Sequence, residues 1–256
     1  LQPSELAKLG VILCFSSLIC RMRGRMSTFK YGILPFVAIL GLVVGLLVLE
    51  PHFSASIIII AVGGVMMFLG GVKLGWFIGA GSAAAAGIGV LLMLFPYASG
   101  RINTWRDPFS SSSDEGYQIV QSLYTIGSGG LSGLGLGMSR QKYLYLPEEH
   151  NDFIFSVVCE ELGFIGAALI LLLFALLILR GYWIALHCRD RFSFLVVAGI
   201  TTLLAIQVFL NVAVVTNLVP CTGISLPFFS YGGTALLIQL GEMGIILSAS
   251  RDVIEK

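Results

Sequence analysis

Phe164-Ile165-Gly166-Ala167-Ala168-Leu169-Ile170-Leu171-Leu172-Leu173-Phe174-Ala175-Leu176-Leu177-Ile178-Leu179 is a run without one charged or hydrogen-bonding side chain. A helix that crosses a membrane needs about 20 mostly apolar residues, and this run sits at the centre of a candidate span read at 153–179. Working outward, six further apolar stretches qualify, at 5–20, 33–49, 53–71, 74–95, 192–217 and 231–249. The fold class expected is all-α, a polytopic bundle of about seven transmembrane helices forming a single membrane domain over 1–256. Composition agrees. Hydrophobic residues make up 57% of the chain and charged residues 11%, with a mean hydropathy of +0.94. Soluble domains carry roughly 25% charged residues, so lipid must cover much of this surface. A buried core large enough to hide so many apolar residues would need more outer shell than 256 residues supply.

The net charge of +1 gives no basic field for nucleic acid. The cysteines Cys14, Cys20, Cys159, Cys188 and Cys221 form no CxxC pair and read as small buried hydrophobes. His52, His150 and His187 have no second ligand at zinc-site spacing, so no metal site is read. There is no GxSxG, no HExxH and no Cys beside a His, which leaves little for covalent or metallohydrolase chemistry. Glu5 and Lys8 interrupt any early apolar core and argue against a signal peptide. The chain starts at Leu1 without Met, and the protein is expected to continue upstream.

Lys and Arg in the short loops set the orientation. Arg21, Arg23, Arg25, Lys30, Lys73, Arg180, Arg189, Arg191, Arg251 and Lys256 fall on one side if the spans alternate. Only Arg101, Arg106, Arg140 and Lys142 fall on the other, all within the long segment 96–152. The basic side is therefore expected in the cytoplasm, and segment 96–152 and the Pro220–Tyr231 turn outside. An odd number of upstream spans would then place the N-terminus in the cytoplasm.

Segment 96–152 is long for a structureless connection. Tyr117 to Ile126 predicts a short interfacial helix with Tyr117, Val120, Leu123 and Tyr124 on one face. The run Gly127 to Gly137 that follows fits neither a dinucleotide fingerprint nor a P-loop. Two readings stay open for it, a flexible turn that lets backbone pack closely and a diphosphate site built from exposed N–H groups.

Carboxylates at a membrane boundary need partners. Glu148, Glu149, His150 and Asp152 stand just before a long apolar span, with Asp152 nearest to it. Partial burial raises a carboxyl pKa toward the value a general base needs; an Asp at a helix start also caps free N–H groups. Glu160 and Glu161 lie about two turns into the same span and must meet a cation, a polar cavity or another helix. Glu242 in the last span poses the same requirement. Glu5 and Lys8, at i and i+3, can neutralise each other on one helix face or belong to a polar pocket within the bundle.

These stretches, taken together, resemble a known family. Gln2-Pro3-Ser4-Glu5 with Lys8 resembles the QPSE-x-x-K signature of SEDS (shape, elongation, division and sporulation) proteins. Arg101-Ile102, Asp107-Pro108-Phe109, Gly116-Tyr117-Gln118, Gly127 to Leu131, Leu146-Pro147-Glu148, Asp152 to Phe155 and Glu160-Glu161-Leu162-Gly163 resemble its outer loop, in order. Gly223 to Gly233 looks like its signature turn. Gly137 to Lys142 is closer to the division and sporulation branch (FtsW, SpoVE) than to the elongation branch (RodA). One departure stands out: after its fifth helix the family usually has Asp and a Gly-Thr step, and here Glu50-Pro51-His52-Phe53-Ser54-Ala55-Ser56 is found.

The resemblance implies helices four to ten of a ten-helix fold, in the bacterial cytoplasmic membrane, with loop 96–152 outside. It implies a peptidoglycan glycosyltransferase that polymerises lipid II, with Asp152 as the catalytic base. Glu5, Lys8, Arg101, Lys142, Glu149 and His150 are expected to bind substrate. Leaving-group help is expected from Arg101 or Lys142, with a divalent cation, Mg or Mn, as the alternative. The implied partners are a class B penicillin-binding protein, other divisome proteins and membrane lipid. A lipid II flippase and a noncatalytic divisome scaffold are the competing expectations.

Overall fold

The computed structural model describes residues 2–49, 53–82, 103–110, 114–140 and 150–251. Its chain divides into two compact units, one of Leu1–Gly79, Leu176–Ile206 and Gly232–Lys256, the other of Ala80–Ala175 and Gln207–Tyr231. Among the described residues every regular element is helical.

In the first unit, α1 (Pro3–Arg21) starts on Pro3, whose missing N–H is no loss at the first helical position. Its buried positions are Ser4, Glu5, Lys8, Val11, Ile12, Phe15, Ser16 and Ile19, a stripe at helical spacing. A π-helical turn (Phe29–Ile33) leads into α2 (Leu34–Leu49). Gly32 closes that turn because any Cβ there would overlap the Met26 carbonyl. Helix α3 (Phe53–Gly70) packs against α1 and α2, and Phe15 meets Phe36 edge-on at 4.8 Å between ring centroids.

In the second unit, α4 (Asp114–Ser128) is the helix expected from Tyr117 to Ile126, longer at both ends. Tyr117 and Tyr124 do point outward, but the face turned inward carries Ser122 and Thr125 beside Ile119. The hydroxyls are affordable because each is bonded. Ser122 Oγ donates to the Val215 carbonyl at 2.8 Å and lies 2.7 Å from Ser156 Oγ, and Thr125 Oγ1 donates to Gln121 O within its own helix.

Helices α5 (Ile154–His187), α6 (Arg191–Val215) and α7 (Gly233–Ser250) complete the chain. Helix α5 is broken at Gly163, which has φ 67° and ψ −171°. Before the break Phe155, Ser156, Val157, Cys159 and Glu160 are buried. After it Phe164 is 68% and Ile165 65% exposed, followed by exposed Leu169, Leu172 and Leu173, as a hydrocarbon-facing surface requires. The span expected at 153–179 falls on α5, which runs further at its C-terminal end and carries the break. Phe164 to His187 alone is about 36 Å of helix at 1.5 Å per residue, enough to cross the roughly 30 Å of hydrocarbon.

Five described helices are long and apolar enough to cross a membrane: Pro3–Arg21, Phe29–Leu49, Ile154–His187, Arg191–Val215 and Gly233–Ser250. Ser54–Gly70 is a shorter apolar helix. The expected span 74–95 is helical over 74–82, and its remainder lies outside the described residues.

Candidate functional site

The turn that precedes α5 is fixed through its main chain. Three successive carbonyls each accept a hydrogen bond within the same unit, one from α6 and two from the turn that follows it. Tyr231 N donates to His150 O at 2.8 Å. Ser230 Oγ donates to Asn151 O at 2.7 Å. Asn211 Nδ2 donates to Asp152 O at 2.8 Å. Two of these donors are themselves held. Ser230 Oγ also accepts from Leu226 N at 2.7 Å, and Asn211 Nδ2 also donates to Ile224 O at 2.6 Å. The Asp152 backbone is therefore tied both to α6 and to the Gly223–Gly233 turn, and its side chain is half-buried. His150 is exposed.

That turn is anchored in its own right. Phe174 of α5 stacks on Phe228 at 6.5 Å between centroids and lies 5.9 Å from Phe229. Phe228 takes φ 65°, an uncommon value for a bulky residue, which the flanking contacts hold in place. On the other flank Trp105 Nε1 donates to Asn217 O at 3.1 Å while Asn217 Nδ2 donates to Trp105 O at 3.2 Å. This reciprocal pair fastens the segment around 103–106 to the end of α6.

Below the turn, Glu160 is 1% exposed and organises the glycine run. Its carboxylate accepts from Ser139 Oγ, from Ser128 Oγ at 3.2 Å and from Arg140 N at 3.3 Å. Glu161 accepts from Ser139 N at 3.4 Å. The paired acids thus face protein donors, not lipid. The glycines do what close backbone packing demands. A Cβ at Gly129 would strike the Cys159 carbonyl, one at Gly133 the Glu161 carbonyl, and one at Gly163 the Gly133 amide and Leu131 carbonyl. Gly133 N donates to Gly129 O at 2.9 Å, Leu134 N to Glu160 O at 3.0 Å and Gly135 N to Glu161 O at 3.0 Å. These amides are engaged inside the protein, so the packing reading of the run applies to them and the diphosphate-site reading does not.

The remaining expected site residues separate. Glu5 and Lys8 belong to the first unit, where Lys8 Nζ stands 2.6 Å from Glu5 Oε1, both buried. The buried Glu242 of α7 lies within electrostatic reach of both, so three ionisable groups of this unit influence one another. Arg101, Lys142 and Glu149 lie outside the described residues, as do Glu50 to His52 of the atypical segment. Among the described residues no group of three or more His, Cys, Asp or Glu could hold a metal ion. The divalent cation considered from the resemblance has no ligand set there. Asn211, Ser230 and Tyr231 escaped the sequence reading as site residues. Asn211 is the only Asn within α6 and, with Gln207, one of its two amide side chains, and an amide in so apolar a span is the signal that marks it.

Comparison with known proteins places these features. The family model for cell cycle proteins of the FtsW, RodA and SpoVE type matches residues 1–254. Stage V sporulation protein E of Bacillus subtilis is 40% identical over 251 residues, covering 98% of this chain and 69% of the relative. A probable peptidoglycan glycosyltransferase FtsW of a Geobacter species is 40% identical over 249 residues, covering 97% and 68%. Among solved structures, a chain of a peptidoglycan synthase complex studied for the structural coordination of polymerization and crosslinking superposes with a TM-score of 0.82. It is 31% identical and covers 100% of this chain and 71% of that one. The rod shape determining protein RodA of Thermus thermophilus gives 0.65 at 29% identity, covering 100% and 67%.

Proposed function

We propose, from the premise that this chain belongs to the FtsW, RodA and SpoVE family, that it is the peptidoglycan glycosyltransferase of a cell-wall synthesis machine. Its substrate is lipid II, polymerised at the outer face of the membrane. Relatives about 40% identical over nearly the whole chain bear the glycosyltransferase name. The observation that carries the reading is the carbonyl clamp on His150, Asn151 and Asp152. It holds one carboxylate at the head of a transmembrane helix with its backbone immobilised, as a positioned base requires.

In this mechanism Asp152 takes the proton from the acceptor sugar hydroxyl. The oxygen attacks the anomeric carbon of the lipid-linked strand as the bond to the diphosphate breaks, with inversion in a single displacement. The leaving diphosphate carries away the bonding pair, and Arg101 and Lys142 supply the charge that stabilises it. No step is routed through a metal ion. The partner is a class B penicillin-binding protein that crosslinks the product.

Asp152→Asn is nearly isosteric and still offers a side-chain oxygen to a helix end. Purified variant and wild type, each with the partner, are compared for strand formation from lipid II. Polymerisation is expected to fall by about 10² or more while folding and partner binding are kept. Near wild-type polymer would remove Asp152 from the mechanism. A flippase is the second reading, favoured by the buried Glu5, Lys8 and Glu242 in membrane-spanning helices. It predicts intact transbilayer movement of lipid II and no dependence on Asp152.

A further inference from the structure

We infer that Asn211 is a positioning residue for the reaction, acting on Asp152 through the main chain, an inference that rests on Asp152 being the base. Asn211 is fully buried in α6. Its amide nitrogen donates twice, to Asp152 O at 2.8 Å and to Ile224 O at 2.6 Å. Those carbonyls belong to two different non-helical segments, the turn before α5 and the turn after α6. One planar NH2 group, with its two protons at a fixed angle, thereby sets the spacing between them.

The other half of the same side chain argues that this is its purpose. Asn211 Oδ1 is buried and makes no hydrogen bond. A buried acceptor without a donor works against folding. That cost is set against two donated bonds, because an apolar side chain here would take this buried donor from the Asp152 and Ile224 carbonyls. What an apolar residue cannot do is hold two carbonyls at once. Ser230 repeats the device one residue earlier, joining Asn151 O to Leu226 N through a single oxygen. Both bridges bind main chain, so they bear on the Asp152 carboxylate through its backbone, and a displacement of about 1 Å at a reacting group costs about 10²-fold in rate.

The test uses the intact protein with its penicillin-binding partner, lipid II as substrate, and thermal unfolding in detergent as the control for folding. Asn211→Leu removes both donors and the orphaned acceptor. The expected result is a turnover number per folded molecule at least tenfold lower at a KM for lipid II within about twofold of wild type, with a lower unfolding temperature because two buried carbonyls lose their donor. A purely structural asparagine would lower the unfolding temperature and leave turnover per folded molecule unchanged, which overturns the inference. Ser230→Ala serves if the first variant does not fold: turnover is expected to fall severalfold at unchanged KM, and wild-type turnover there overturns the inference as well. Asp152→Asn is measured alongside. If it is inactive while Asn211→Leu and Ser230→Ala turn over normally, the positioning role fails and the catalytic reading stands. If it is active, the catalytic reading fails first.

Discussion

The two units bury polarity in opposite ways. In the first, Glu5, Lys8 and Glu242 put ionisable groups inside regular helices, and side chains do the compensating. In the second, besides the buried carboxylate of Glu160, turns and a glycine run put main-chain groups inside, and compensation comes mainly from carbonyls, amides and short side chains such as Ser122, Ser139, Ser230 and Asn211. A charge cluster on helices tolerates small shifts, because Coulomb attraction falls off slowly with distance. A main-chain network does not, because its geometry is set by dihedral angles and by contacts that leave no space for a methyl group. The unit that carries the proposed base, Asp152, is the one built on main chain.

Substitutions sharpen this contrast. The largest effect is expected for Gly163→Ala. Its φ of 67° with ψ −171° is nearly closed to other residues, at a cost of about 1–3 kcal/mol. The new methyl would also press on the backbone of Gly133 and Leu131, adding about 1–3 kcal/mol of overpacking. Backbone yields less than a side chain, so thermal unfolding in detergent should show a loss in the upper half of that sum. A stable Gly163→Ala protein would mean that the glycine loop does not depend on this contact.

Next comes Lys8→Met. It leaves Glu5 and Glu242 buried with their shared cation gone, and breaking such a pair costs about 3–5 kcal/mol. Glu5→Gln should cost less, because Glu242 remains as a counter-charge for Lys8. The double variant should unfold at a higher temperature than Lys8→Met alone. Equal losses from the two single changes would show that Glu242 takes no part.

The smallest effect is on the surface of the first unit. Ser193 N donates to Asp190 Oδ2 at 2.8 Å, capping α6. The hydrogen bonds from Ser193 hold the Asp190 carboxyl below its ordinary value of 3.8. Asp190→Ala should cost about 1 kcal/mol near neutral pH. A depressed folded-state pKa stabilises above the unfolded value and loses that stabilisation as pH falls through the folded one. The gap between wild type and variant should therefore narrow only in acid, below the usual carboxylate range. A gap independent of pH would assign it to helix propensity instead.

Much of this was legible in the sequence because it is local. The Glu5–Lys8 spacing is the pair that forms, and the apolar run after Gly163 is a lipid-facing helix. Helix α4 came from its periodicity, although Ser122 and Thr125 face inward where the pattern suggested polar residues outside. What stayed hidden depends on groups far apart along the chain. Asn211 is separated from Asp152 by 59 positions, and Ser139 from Glu160 by 21. No periodicity links them. The break in α5 was missed because Glu161-Leu162-Gly163-Phe164 reads as uninterrupted helix until the partner backbone at Leu131 and Gly133 is seen.

That break has a bearing on how the chain tolerates change in length. Past Gly163 the span begins afresh, and its first amides would lack the carbonyls of a preceding turn. Gly130 O accepts from Phe164 N at 2.9 Å and Leu131 O from Ile165 N at 3.2 Å. A distant loop thus stands in for a missing turn, at side chains that face hydrocarbon, where water offers no substitute. A residue inserted or deleted between Gly129 and Gly135 would slide both carbonyls out of register and strand two donors in lipid. The loop looks spacious on the page, rich in glycine and poor in side chains, yet it is the wrong place to add an epitope tag or a spacer.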